Sequence, residues 1–220
     1  MNTTNFGWTW RGDWQSMRLW VGAVGFFAAL LSARSAIIAF DQGVAGSGMN
    51  FFYRTYTEAG MKFDIARLPQ NSTSSGLYQI GSLITGSVPH NGTPHMEFRG
   101  EFMYPMILTL SLTNGLTFGL NSVDLADMYA PSPAPITIQF IGLKTSGMTV
   151  TNSFTTAKSA TAFQHYNFNA AFSSDLLSVQ IPSQVWSMDN LVFTPVPEPG
   201  VAVFGGLAIL GGLLRRRWRR

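Results

Sequence analysis

The chain has 220 residues, of which 46% are hydrophobic and 11% are charged, with no cysteine and a formal net charge of +3. The absence of cysteine excludes a disulfide framework, so an exported domain of this size must rely on its hydrophobic core. The positive charge comes from the two ends: residues 40–194 hold six basic and nine acidic residues, a net charge of −3. Because the middle region is acidic, we do not expect it to bind nucleic acid.

The N-terminal 35 residues have the pattern of a secretory signal peptide. Arg11 and Arg18 precede an uncharged run over residues 19–31, and the small residues that follow it at 32–36 are interrupted by Arg34. A charged region, a short apolar region and a small-residue zone are the three parts of such a signal, and we expect cleavage near Ser35. The thirteen apolar residues are too few to span a bilayer comfortably. A permanent N-terminal anchor is the alternative.

Residues 36–194 have the hydrophobic pattern of a single β domain. Ile136, Ile138 and Phe140 recur at every second position, and residues 185–193 form another β-rich run. Gly, Pro, Asn and Ser clusters separate such runs, and no stretch of useful length has the helical period. Short strands that each hide one face predict an all-β sandwich.

The C-terminal segment, residues 195–220, combines a proline motif, an apolar run and an arginine cluster. Residues 200–214 are free of charge, and as a helix residues 201–214 span about 21 Å, short of the roughly 30 Å hydrocarbon core. Cytoplasmic flanks of membrane helices carry the excess of Lys and Arg, so the preceding chain is expected outside the inner membrane. The motif is Pro197, Glu198 and Pro199, and the cluster is Arg215, Arg216, Arg217, Arg219 and Arg220.

This order of parts resembles the PEP-CTERM sorting signal that exosortases process in Gram-negative bacteria. The resemblance implies an exosortase-type enzyme as partner, a transient anchor in the inner membrane, cleavage near Pro197–Pro199, and delivery to the cell surface or the extracellular space. An ordinary transmembrane helix that is never cleaved is the alternative. Such tails are also labelled as the C-terminal domain of ice-binding proteins. The sequence shows no regular threonine array of the kind an ice-binding face implies, so that activity is not predicted.

Four segments of the middle region resemble the single jelly-roll β-sandwich domains that proteins with this tail commonly bear. These segments are residues 38–41, 56–60, 118–125 and 188–193. The resemblance implies a jelly-roll-like sandwich flanked by an N-terminal signal helix and a C-terminal transmembrane helix.

The same resemblance implies a structural calcium ion shared by Asp41 in the first strand and Asp189 in the last. Calcium takes six to eight oxygen ligands, so the remaining ones would be backbone carbonyls. In the alternative, Asp189 and Asn190 only hydrogen-bond the backbone of a neighbouring loop.

The residues needed for catalysis are scarce in this sequence. His90 and His95 lie in a turn-rich stretch without metal-ligand spacing, and we expect both to be solvated. Glu97 and Glu101 on a regular strand would lie about 13 Å apart, too far for a glycosidase pair, unless a bulge at Gly100 alters the spacing. No Gly-x-Ser-x-Gly elbow occurs. The sequence therefore predicts a protein that is not an enzyme.

Aromatic side chains could present flat faces to sugar rings. The candidates are Tyr53, Tyr56, Tyr129, Tyr166 and Trp186, but aromatic residues also fill sandwich cores, and Trp186 shares strand parity with Met188, which favours a core position. The predicted function is an exported, non-catalytic surface or matrix protein involved in adhesion or biofilm structure, with exopolysaccharide as a possible partner. A carbohydrate-binding module and a permanently anchored periplasmic single-pass membrane protein are the alternatives.

Overall fold

The computed structural model describes residues 34–42, 51–66, 76–81, 89, 92–99, 106–128, 135–157, 162–183 and 185–196. Most of the predicted signal peptide and all of the Pro-Glu-Pro motif, the apolar run and the arginine cluster lie outside these residues, as do Tyr129, His90 and Glu101. The described residues form thirteen β-strands and one short 3-10 turn, so the predicted all-β class is confirmed. None of the described residues lies in a helix that is long and apolar enough to span a membrane.

The strands follow one another with short connections wherever both of their ends are described. In chain order they are β1 (Ala36–Ile38), β2 (Phe51–Tyr53), β3 (Thr55–Glu58), β4 (Met61–Ala66), β5 (Gly76–Ile80), β6 (His95–Arg99), β7 (Ile107–Leu112), β8 (Phe118–Asp127), β9 (Thr137–Lys144), β10 (Thr149–Thr155), β11 (Gln164–Asn167), β12 (Leu176–Ile181) and β13 (Trp186–Pro195), with the 3-10 turn at Ala170–Phe172.

All of the strand pairs are antiparallel, and they fall into two halves of one nearly closed sheet. The first half has the order β2-β5-β6-β13-β8-β11, with β1 also paired to β13. The second half has the order β3-β4-β7-β12-β9-β10. One residue pair, Leu176 with Phe118, connects the two halves through β12 and β8.

The last strand, β13, lies in the middle of the first half. It pairs along one edge with β8, while its other edge is shared by β6, opposite Trp186–Met188, and β1, opposite Leu191–Phe193. The pairing with β8 is irregular between Asp189 and Val192, and Asn190 has a φ of 47° there. Asparagine tolerates this left-handed conformation better than most residues, which allows β13 to bulge at this point.

The two halves enclose one hydrophobic core, because alternate side chains of their strands point inwards. On β9, Ile138 and Phe140 are fully buried, as their spacing predicts. Trp186 is fully buried against Phe98, with ring centroids 5.5 Å apart, and Met188 is 1% exposed. The prediction that Trp186 belongs to the core is confirmed.

The two ends of the domain meet at one edge of the sheet. Ala36 pairs with Phe193, and Ser35 Oγ lies 3.1 Å from Thr194 Oγ1. The amide of Asn121 donates to Thr194 Oγ1 at 2.9 Å and so ties this corner to β8. The chain therefore enters and leaves the domain side by side.

A buried polar network holds the chain immediately after β1. Phe40 is fully buried and has a φ of 56°, a strained conformation for a bulky residue. The amide of Gln79 donates to the carbonyls of Phe40 and Gln42, and Tyr53 donates its hydroxyl to Gln79 Oε1 at 3.1 Å. Asp41 lies in this turn rather than in the first strand, so that part of its predicted placement is wrong: the left-handed Phe40 ends the strand.

Candidate functional site

Polar side chains are concentrated on the outer face of the first half-sheet, opposite the core. Ser187 pairs with Glu97 across β13 and β6, Asp189 pairs with Asp124 across β13 and β8, and Asp124 pairs with His165 of β11. Directly paired residues share one face of a sheet, and so do residues two apart on a strand. His95, two residues before Glu97, therefore belongs to the same face. We call this set the polar face.

His95 and Glu97 are the most deeply buried ionisable pair of the polar face. His95 is fully buried and Glu97 is 1% exposed, with His95 Nε2 3.8 Å from Glu97 Oε1. Arg99 binds the other carboxylate oxygen of Glu97 through both Nε and Nη2, at 2.8 Å and 2.6 Å. Arg99 also lies over the ring of Tyr78, 4.4 Å from its centroid. Glu97 is thus oriented through one oxygen, and the other faces His95.

Two groups of the polar face are buried without a hydrogen-bond partner. Neither ring nitrogen of His95 makes a hydrogen bond, and the same is true of Ser187 Oγ, which is also fully buried. The ring of Phe163 packs against that of His95 with centroids 5.2 Å apart, so the imidazole is enclosed by an aromatic side chain rather than by a polar one. Buried polar atoms are normally paired, and unpaired ones point to strain or to a missing ligand.

The other end of the polar face holds a directly bonded carboxylate and imidazole. His165 Nδ1 lies 2.7 Å from Asp124 Oδ1, and the side-chain amide of Asn190 donates to Asp124 Oδ2 at 2.9 Å. The side chain of His165 is 58% exposed, so its ring remains accessible to solvent. The bulge at Asn190 aims its amide at Asp124, and the carboxylate in turn orients the histidine.

The predicted calcium ligands lie on β13 and in the turn after the neighbouring β1, and the one on β13, Asp189, has other contacts. Asp189 is 1% exposed, and its two carboxylate oxygens accept from Thr93 Oγ1 at 3.0 Å and from the backbone N–H of Asn190 at 2.8 Å. Asp41 is exposed, three residues beyond Ile38, which pairs with Leu191. Within the described ranges, no group of three or more His, Asp or Glu side chains is gathered as a metal site. Calcium binding by Asp41 and Asp189 remains a prediction, in which backbone carbonyl oxygens would supply the other ligands.

The predicted aromatic residues that the structure describes serve the core or its rim. Tyr56 is 5% exposed and donates its hydroxyl to the carboxylate of Glu58, and burial, followed by this contact, raises the pKa of Tyr56. Tyr166 packs on Phe154 at 4.9 Å and donates to Gln164 Oε1. Tyr53 holds Gln79, as described above. None of these positions presents a free aromatic platform for a sugar ring.

The outer face of the second half-sheet is lined by hydroxyl groups. On β10, the residues Thr149, Thr151, Ser153 and Thr155 are exposed at every second position, and β9 places Thr137, Gln139, Ile141 and Leu143 opposite them. Among the described outward residues of this half, the charged ones are Lys62 and Asp64, which form an ion pair of 3.2 Å. We call this surface, whose described charges cancel, the hydroxyl face. Strand pairing adds Thr137 of β9 to this row, with its hydroxyl oxygen 2.9 Å from that of Thr155.

The sequence does not predict the polar face, because its residues come from segments that are far apart along the chain. His95 was expected to be a solvated loop residue, but it begins β6 and is fully buried, so that expectation is wrong. The alternation of His95, Glu97 and Arg99 was the one local signal, since it places three polar side chains on one face of a strand. The contact of Asp124 with His165 has no local signal, because 41 residues separate them.

Comparisons with known proteins do not assign the chain to a family. No protein-family model matches the chain, and no curated protein matches it.

Proposed function

We propose that this chain is an exported, non-catalytic protein of the cell surface or extracellular matrix, which an exosortase-type enzyme sorts through its C-terminal tail. The tail anchors the chain transiently in the inner membrane, with the arginine cluster in the cytoplasm, and cleavage near Pro197–Pro199 releases the domain. The resemblance of the tail to PEP-CTERM signals motivates this proposal.

The observation that best supports it is the meeting of the two domain ends. Because Ala36 pairs with Phe193 and Ser35 contacts Thr194, the leader and the tail are attached to one edge of the domain. When both segments are attached at one edge of the domain, its other surfaces lie away from the attachment points. We expect the sheet to stay intact when both segments are removed, since the first and last of the described strands pair with each other.

The domain itself we infer to be a jelly-roll-like β-sandwich. Its seven-strand and six-strand halves face each other across one core and are joined, among the described strand pairs, by Leu176 and Phe118. Because one described residue pair joins the two halves, we interpret them as two sheets packed face to face, as in a sandwich.

The hydroxyl face supports a structural role in the matrix. It is broad and carries no net charge in its described residues, and hydroxyl groups both donate and accept hydrogen bonds. Exopolysaccharide is rich in the same group and is the partner we propose for this face. The carbohydrate-binding alternative therefore finds more support in this hydroxyl surface than in the described tyrosines.

Sorting is tested by mass spectrometry of the C-terminus of the exported protein. We expect a new terminus near Glu198, and impaired processing when Arg215, Arg216 and Arg217 are all changed to Ser. The matched control changes the same three residues to Lys, which keeps the charge and should preserve the membrane orientation. Mature exported protein that still carries its terminal arginines would refute the proposal, and intact protein in the membrane fraction would favour the permanently anchored alternative.

Adhesion is tested by co-sedimentation with isolated exopolysaccharide. Thr151→Glu places a charge at the centre of β10 and should reduce binding severalfold. Asn167→Glu is the control, because Asn167 is exposed on β11 of the other half-sheet. Equal binding by both variants and the unaltered protein would show that the hydroxyl face is not the contact surface.

A further inference from the structure

We propose that His95, Glu97 and Ser187 form a binding site for a divalent transition-metal ion of the zinc class. The ion would lie between His95 Nε2 and Glu97 Oε1, with Ser187 Oγ as a neighbouring oxygen. The site differs from the predicted calcium ligands and is independent of how the chain is sorted.

The distance between the two atoms is the first argument. At 3.8 Å, His95 Nε2 and Glu97 Oε1 are too far apart for a hydrogen bond. Two donor atoms bound to one tetrahedral zinc ion, at about 2.0–2.1 Å each, lie about 3.4 Å apart. A shift of a few tenths of an ångström would thus let both bind one ion. His165 and Asp124, by contrast, close to 2.7 Å and satisfy each other directly.

The unpaired atoms are the second argument. Both ring nitrogens of His95 and the hydroxyl oxygen of Ser187 are fully buried without a hydrogen-bond partner. Ser187 is the residue that pairs with Glu97 across the strands, so its side chain shares the face of the proposed site. An ion at this place would satisfy one imidazole nitrogen and provide a partner for the serine oxygen.

The orientation of Glu97 is the third argument. Arg99 occupies only Oε2, which leaves Oε1 directed at His95. Metal-binding carboxylates are commonly held in this way by an outer hydrogen bond, and such outer partners affect affinity by about 10–100-fold. The carboxylate is therefore positioned before any ion arrives.

The chemical types of the proposed ligand atoms indicate which class of metal ion would bind. Imidazole nitrogen together with carboxylate oxygen suits zinc, cobalt or nickel, whereas calcium prefers oxygen ligands alone. The described residues supply two strong ligands and one hydroxyl, in keeping with the finding that no three His, Asp or Glu side chains gather there. Because the described residues supply no further strong ligand, we expect an ion of moderate affinity.

The test is titration of the purified, tag-free protein with Co²⁺, followed by its visible absorption, and with Zn²⁺, followed by calorimetry. We expect one ion per chain. His95→Gln should abolish that binding, and Arg99→Gln should weaken it by about 10–100-fold. His165→Gln is the matched control, because His165 is already paired with Asp124, and it should bind the ion as the unaltered protein does.

Absence of Co²⁺ and Zn²⁺ binding by the unaltered protein would overturn the proposal. So would equal loss of binding in His95→Gln and His165→Gln. Circular dichroism shows whether each variant is folded. If His95→Gln does not fold, Arg99→Gln and Ser187→Ala test the site instead, because both variants keep the imidazole of His95. Unchanged affinity in those two variants would also contradict the site.

Discussion

Gly119 lies so close to the backbone of Ser173 that a Cβ atom at residue 119 would be 2.0 Å from the carbonyl oxygen of Ser173. Gly119 belongs to β8, which joins the two halves of the sheet at Phe118, and Ser173 follows the 3-10 turn. Only a residue without a side chain permits this approach, because a backbone carbonyl cannot move aside as a flexible side chain can.

Gly119→Ala should therefore destabilise the domain by about 3 kcal/mol, at the upper end for overpacked sites. Urea denaturation measures the change. Gly142→Ala is the control, since its Cβ would meet Leu176 Cδ2 at 2.7 Å and Val150 Cγ2 at 3.0 Å, which are side-chain atoms that can shift. We expect a loss of about 1–2 kcal/mol there. A smaller loss at residue 119 than at residue 142 would contradict the rigid contact.

Gln79→Leu should destabilise the domain by about 2–4 kcal/mol. The fully buried amide of Gln79 holds the carbonyls of Phe40 and Gln42, and each buried acceptor left without a donor costs about 1–3 kcal/mol. Tyr53→Phe, which removes one contact of the same amide, should cost about 1 kcal/mol. Thermal or urea unfolding that places the two variants at equal stability would show that Gln79 does not restrain the turn.

Tyr56 should make the domain sensitive to alkaline pH. Burial, followed by the hydrogen bond to Glu58, raises the pKa of Tyr56 above its ordinary value of about 10. The unfolded chain therefore loses this proton first, so the stabilisation is complete below about pH 10 and declines as the pH rises further. Urea denaturation from pH 8 to pH 11 should show this decline, and Tyr56→Phe should lessen it.

The phenolate absorbance provides a second measurement on the same residue. Tyr56 should remain protonated in the folded protein at a pH where most tyrosines have ionised, and the absorbance step should appear on unfolding. Titration of all tyrosines in one step near pH 10, in protein that is still folded, would refute the prediction.

The calcium ion predicted at Asp41 and Asp189 should raise the melting temperature. Metal-free protein should gain several degrees on addition of Ca²⁺, because an ion that binds only the folded state stabilises it. Asp41→Asn should remove the gain with little other effect, as Asp41 is exposed. A melting temperature that responds neither to chelator nor to Ca²⁺ would rule out the site and would favour a hydrogen-bonding role for Asp189, as in its contacts with Thr93 and Asn190.

The all-β class could be predicted because alternation is a local property. Ile138, Phe140 and Trp186 lie where their period places them, with their side chains in the core. The end of the first strand could not be predicted, because the left-handed conformation of Phe40 is maintained by Gln79, a residue of another strand. Sequence preference alone gives no reason for a phenylalanine to adopt it.

The polar face could be predicted only in part, because its side chains are assembled by strand pairing. The resemblance to jelly-roll domains indicates Asp189 and Asn190, in the final strand, as residues of interest. Glu97 and Ser187 become neighbours only when β6 and β13 pair, and Phe163, whose ring packs against His95, lies far along the chain. Composition cannot supply this information, since polar residues on strands are usually solvent-facing.

The central place of β13 bears on when the domain can fold. This strand connects β8 to both β6 and β1, yet it is the last of the described strands along the chain. A polypeptide that ends before Trp186 lacks the strand that joins β8 to β6 and β1, so this half of the sheet should stay open until β13 is present. Docking of β13 is then the step that completes the half-sheet and commits the domain to its native form.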